Sequence, residues 1–191
     1  MESKAARLAC ADTAEQIVLA EYTGGTSALL SLHEKGNGCW RELFSCEAEI
    51  GKNGVGKEKE GDYRTPLGCF NLTTPFGILP DPGSRQGYIR VDENMCWCSC
   101  DTSGHYNRLM DMRQCSRACE KPDEHLIDYP GVYNYCMFID YNRDAVPGKG
   151  CCIFLHCTGT SGHTAGCVAV PEEAMKRIIR WAKPGAKIVI E

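Results

Sequence analysis

Short apolar runs broken by glycine dominate this chain, and a single stretch carries a helical period. That punctuation restricts the fold to small strands joined by tight turns. Gln16 to Tyr22 and Ser27 to His33 are apolar and partly alternating, and Gly24-Gly25 between them predicts a hairpin. Cys39 to Ile50 predicts one or two further strands. Cys69 to Thr74, Tyr135 to Tyr141 and Cys152 to His156 read as short strands, and Lys187 to Glu191 as the last one. Gly51 to Gly56, with three glycines and no apolar period, reads as a loop. The helix is expected from about Pro171 to Ala182. Proline suits a first helical position, and Glu172 and Glu173 suit the positive end of the helix dipole. Ala174, Met175, Ile178 and Trp181 or Ala182 share one face, and Lys183-Pro184-Gly185 stops the helix. The sum is a mainly β domain with one or two helices.

At 191 residues the chain has the size of one domain. It contains no repeat, low-complexity tract or linker-like stretch, so residues 1–191 are read as a single unit. The net charge of −4 lacks the basic footprint that sequence-independent nucleic-acid binding needs. No run approaches the ~18 apolar residues of a membrane-spanning helix. Met1 to Glu21 also lacks the apolar run of a secretory signal.

The 14 cysteines need an explanation: disulfides, a metal or a reducing compartment. Cys96, Cys98 and Cys100 alternate, so a strand would turn all three to one face. Cys115 and Cys119 are four apart and would share a helix face. A cysteine-rich insertion from about Asp92 to Asp123 would hold these five, as a disulfide cluster or as ligands of a structural zinc. His156, Cys157, His163 and Cys167 form a second conceivable ligand set. A zinc-binding structural or interaction module is therefore the alternative to an enzyme.

The chemistry concentrates between Cys152 and Pro171, CCIFLHCTGTSGHTAGCVAVP from Cys151 onward. Strand alternation sets Cys152, Phe154 and His156 on one face and Ile153, Leu155 and Cys157 on the other. His156 stands at the strand end, and Cys167 follows after a Gly/Ser/Thr loop that is long enough to fold back. A cysteine beside a histidine supplies an activated thiol nucleophile. Gly166 allows close approach of backbone, and the amides of Ala165, Gly166 and Cys167 would line an oxyanion hole. The competing reading is a satisfied strand-end histidine and a small buried cysteine.

Two separated segments carry a family likeness. Gly51 to Gly77 contains Gly61-Asp62, then Arg64-Thr65-Pro66, Gly68 and Phe70. Phe154-Leu155-His156 is followed by Thr164-Ala165-Gly166-Cys167. Together they resemble the L,D-transpeptidase catalytic domain family (the YkuD family), and Glu124 to Leu126 and Ile139 to Asn142 extend the likeness. The resemblance implies an L,D-transpeptidase-like β-sandwich or barrel that needs no cofactor. It implies Cys167 as nucleophile and His156 as base, with Gly166 beside them. It places Arg64, Thr65, Thr164, Ala165 and His163 near the substrate, and makes the substrate a peptidoglycan stem peptide. The reaction implied is transpeptidation or carboxypeptidation by a monomer.

The chain departs from the family's Ser-His-Gly-Cys form in having Thr164-Ala165 before Gly166 and no arginine after Cys167. His163 lies four residues before the cysteine, so the base role goes to His156. The group that orients the imidazole is a backbone carbonyl or one of Thr158, Thr160 and Ser161. Cell-wall chemistry implies an extracytoplasmic location, and the missing leader then reads as trimmed. With Cys167 unpaired, thirteen of the 14 cysteines remain, so at most six intrachain disulfides fit.

Overall fold

The computed structural model describes residues 3–114 and 124–191. Its strands are β1 (Gln16–Gly24), β2 (Ser27–Gly36), β3 (Cys39–Glu49), β4 (Gly68–Gly77), β5 (Ile89–Arg90), β6 (Met95–Trp97), β7 (Leu109–Asp111), β8 (Glu124–His125), β9 (Cys136–Ile139), β10 (Phe154–Cys157), β11 (Val168–Val170) and β12 (Lys187–Ile190). The helix α1 is Glu172–Trp181. The main sheet runs β12-β1-β2-β3-β11-β10-β9-β4-β5, and β12 also pairs with β4. That extra pairing closes eight strands into a ring and leaves β5 outside it, so the barrel covers edges that an open sheet would expose.

Glycine sets the turns. Gly24 and Gly25 have φ of +121° and +59° between β1 and β2, as the hairpin requires. Asn37 and Gly38 make a second such turn, with φ of 52° and 77°. Cys39 to Glu49 is one long strand, because a register shift at Leu32/His33 lets β2 follow it along its length. β11 was not expected from the sequence. Its three residues are all buried, which removes the alternation that marks a strand.

Two apolar clusters lie on opposite sides of β10. Ile153, Leu155 and Cys157 join the barrel core with Val18, Leu30 and Ile188, and α1 adds Met175, Ile178 and Ile179 to it. Phe154 and Cys167 belong to a second cluster with Phe76, Trp97, Tyr133 and Phe138. The alternation expected at Cys152 to Cys157 is thus present. Helix α1 starts one residue later than expected, because Pro171 is its N-cap, with ψ of 144°.

The described part of the Asp92–Asp123 segment contributes a small sheet, β7-β6-β8, beside the barrel. Trp97 of this sheet packs at a tilt against Phe138 and stands edge-on to Phe154, with centroids at 4.6 and 5.0 Å. Cys96, Cys98 and Cys100 gather in one buried cluster with Met110. The strand itself ends at Trp97. No disulfide joins two described cysteines. Cys115 and Cys119, expected to share that cluster, lie outside the described residues. His33, expected in solvent near a hairpin, is fully buried and bonded to the hydroxyls of Ser3 and Ser31 at 2.6 and 2.8 Å.

Candidate active site

Register places the two key side chains. β10 and β11 are parallel, with Leu155 opposite Val168 and His156 opposite Ala169. Cys167 therefore enters at the level of Phe154, on the face that carries His156. Two residues along and one strand across separates their Cα atoms by about 8 Å. Both side chains open into one cavity of about 480 Å³.

Thr65 and Thr164 hold the backbone of Cys167 from opposite sides. Their hydroxyls donate to its carbonyl at 3.2 and 2.7 Å. Thr65 is fully buried and also accepts from the Gly51 amide at 2.8 Å. Its own carbonyl accepts from the amides of Gly56 and Lys57 at 2.8 and 3.3 Å. Thr164 pairs with both sides of the Gly51 turn, through Ile50 and Lys52 at 2.9 Å each. The loop from Gly51 to Thr65 is thereby tied to the turn that carries Cys167. Gly166 is needed at that junction: its φ is +147°, and a Cβ there would sit 2.9 Å from the Arg64 carbonyl oxygen.

The thiol of Cys167 donates to the Cys152 carbonyl at 3.2 Å and accepts from the Phe154 amide at 3.3 Å. Cys152 adopts a φ of 55°, a costly conformation for a non-glycine residue. Asn107 holds it there. The Asn107 Oδ1 accepts from the Cys152 amide at 3.2 Å and from Trp97 Nε1 at 3.1 Å. Its Nδ2 donates to the carbonyls of Tyr141 and Asn142, both at 3.1 Å. The side sheet therefore braces the wall against which the thiol rests.

The His156 Nδ1 lies 2.8 Å from the Cys157 carbonyl. A carbonyl only accepts, so Nδ1 carries the proton and Nε2 keeps its lone pair. Of the orienting groups expected from the sequence, the structure has the backbone carbonyl. Tyr133 stands edge-on to the imidazole with centroids 5.6 Å apart, and its hydroxyl donates to Glu124 at 2.7 Å. Burial pulls the imidazole down to about 4, against the Cys157 carbonyl, which favours the protonated ring. Burial pushes the Cys167 thiol up to about 12, against the Phe154 amide, which favours the thiolate. The resting site thus holds two neutral groups and no preformed ion pair.

The sequence-derived candidates divide by position. Thr164, Ala165, Gly166, His163, His156 and Cys167 all line the cavity. The His163 Nδ1 is bonded to the Ser161 carbonyl at 2.9 Å. The Gly166 amide, expected in an oxyanion hole, is occupied by the Thr164 hydroxyl at 3.1 Å. The Arg64 side chain is exposed and donates to the Val55 carbonyl at 3.4 Å, while its backbone packs on Gly166. Lys57, Glu124 and Cys151 also line the wall; the first two lie in segments that carry the family likeness, and the sequence reading gave none of the three a role there. Among the described residues no three His, Cys, Asp or Glu side chains converge as metal ligands. Cys157 faces the barrel core and bonds the Tyr135 carbonyl, so it does not share a site with Cys167.

A family model of the L,D-transpeptidase catalytic domain (YkuD) matches residues 9–190. No functionally curated protein matches. Among solved structures, the helical cell-shape-determining protein Pgp2 from Campylobacter jejuni aligns with a TM-score of 0.52 and 18% identity, over 92% of this chain and 47% of that one. Bd1075 from Bdellovibrio bacteriovorus aligns with a TM-score of 0.49 and 16% identity, over 93% and 48%. An L,D-transpeptidase from Stackebrandtia nassauensis gives 0.44 and 13%, over 100% and 58%. The first two solved structures are about twice as long as this chain. No helix among the described residues is long and apolar enough to cross a membrane. The barrel, the two motifs and the span of the family match agree: the chain belongs to the L,D-transpeptidase catalytic domain family.

Proposed function

We propose that the protein is a cysteine acyltransferase acting on peptidoglycan stem peptides. The observation that carries the reading is the His156 tautomer. With Nδ1–H given to the Cys157 carbonyl, Nε2 is the proton acceptor in the cavity that holds the Cys167 thiol.

In this reading the thiol turns from the Cys152 carbonyl toward Nε2 when substrate enters. His156 takes the proton, and sulfur attacks the amide carbonyl of the third stem residue. The amides of Ala165 and Cys167, which make no hydrogen bond to another described residue, receive the oxyanion. The C–N bond breaks, and terminal D-alanine leaves with the proton from His156. A thioester on Cys167 remains. An amine from a neighbouring stem then forms an amide and regenerates the thiol; with water as acceptor the product is a shortened stem. The neutral resting pair fits this sequence, because charge separation then waits for substrate. Such chemistry would be extracytoplasmic.

Intact mass after exposure to a carbapenem tests the assignment, since this β-lactam class acylates the cysteine of the family. A single adduct that maps to Cys167 and disappears in Cys167→Ala is expected. An adduct that persists in folded Cys167→Ala overturns the role of Cys167.

A further inference from the structure

Lys57 is the one lysine or arginine that lines the cavity of Cys167, among the described residues. Its side chain is 2% exposed, which a lysine seldom accepts without a fixed role. The stem crosses Gly150, where a Cβ would come within 2.4 Å of the lysine Cε, so Gly150 makes room for it beside Cys151 and Cys152. Nζ donates to the Lys59 carbonyl at 3.1 Å and to Asp62 at 3.0 Å. Asp62 is itself pinned, accepting from the amides of Glu58, Lys59 and Arg64 at 2.7, 3.0 and 3.1 Å. Two hydrogen bonds then connect the lysine to the nucleophile. The Lys57 amide binds the Thr65 carbonyl, and the Thr65 hydroxyl binds the Cys167 carbonyl.

We propose that Lys57 is a positioning residue whose ammonium, aimed by Asp62, stabilises the negative charge that develops on the Cys167 sulfur and then on the oxyanion. Position supports this. A cation held in a low-dielectric wall acts on a nearby anion far more strongly than one in water. The thiol needs such help, since its burial opposes ionisation, and the Lys57 charge is among the influences that pull its pKa back down. The Glu124 carboxylate in the same wall pulls the other way, which leaves Lys57 as the compensating charge. The role deepens the acyltransferase reading and rests on it, but the test reads thiol acidity and needs no peptidoglycan.

Site-resolved mass spectrometry of iodoacetamide alkylation at Cys167, followed against pH on the full chain, is the experiment. Lys57→Met is expected to move the alkylation midpoint up by about one pH unit and slow the reaction about tenfold at fixed pH. Asp62→Asn is expected to do the opposite, because it removes the counter-charge and leaves the ammonium to act on sulfur alone. Lys57→Arg is expected to keep the wild-type profile. Opposite signs in the first two variants establish an electrostatic role, since a purely structural role slows or speeds both alike. The same sign in both, or an unchanged midpoint in folded Lys57→Met, overturns the proposal. Where Lys57→Met does not fold, a raised or unchanged alkylation midpoint in Asp62→Asn overturns it. A failed carbapenem reaction with a shifted alkylation midpoint would overturn the substrate class and leave the role of Lys57 standing.

Discussion

The hydroxyl of Thr65 donates to the carbonyl of Cys167 at 3.2 Å, across 102 positions of sequence. That bond joins the two motifs by which the chain resembles its family. It also explains why a threonine occupies a fully buried position there. The hydroxyl accepts from Gly51 as well, so two backbone groups from different loops meet on one side-chain oxygen.

Thr65→Val keeps the volume and removes both hydrogen bonds. The Gly51 amide would then be buried without a partner, which costs about 1–3 kcal/mol. Urea unfolding is expected to show that loss, and the alkylation rate of Cys167 is expected to change with it. Unchanged stability would mean that water replaces the hydroxyl.

Gly166→Ala is expected to be more severe. The added Cβ meets the Arg64 carbonyl at 2.9 Å, and the φ of +147° is itself unfavourable for alanine. Backbone atoms yield less readily than side chains, so the Gly51–Thr65 loop must move away from Cys167. A fall in melting temperature, with loss of carbapenem acylation, is the expected outcome.

Asn107→Leu tests the brace behind the thiol. The substitution strips an acceptor from Cys152 and Trp97 and a donor from two carbonyls. A loss of about 2–4 kcal/mol is expected, because several buried polar groups lose partners at once. Asn107→Asp, which keeps the acceptor, is expected to lose less at the Cys152 end. Hydrogen exchange at the Cys152 amide would report it.

His156 sets a pH dependence. Its folded pKa of about 4 lies below the ordinary histidine value near 6.5, so the unfolded chain binds more protons between those limits. Stability is therefore complete above about pH 6.5 and falls as the pH drops toward 4. The loss between pH 7 and pH 4.5 is roughly 2–3 kcal/mol from this group. His33, also lowered by burial, adds a loss of the same sign. Urea titrations of wild type and His156→Gln at both pH values separate the two, since the variant is expected to lose the His156 share of the slope.

Much of this protein was legible in one dimension because its strands announce themselves locally. The hairpin at Gly24-Gly25, the helix near Pro171 and the alternation from Cys152 to Cys157 each depend on neighbours within a few residues, and the structure has all three. That His156 and Cys167 open into one cavity was also within reach, since both flank one loop. What stayed hidden depends on chain segments far apart. β11 has no alternation because both of its faces are covered. His33 looks like a surface residue until Ser3 folds over it. Neither Lys57 nor Glu124 has a spacing that predicts its place in the cavity wall, and nothing local marks Asn107 as the brace behind Cys152; closure of the barrel, the small side sheet and the Gly51–Thr65 loop bring them there. Local spacing and backbone preference determined the elements and nominated Cys167 as a candidate. Only the tertiary structure decided which carbonyl binds His156, which groups hold the Cys167 turn and which cation lines the cavity, because hydrogen bonding and burial are properties of contacts that the order of residues does not contain.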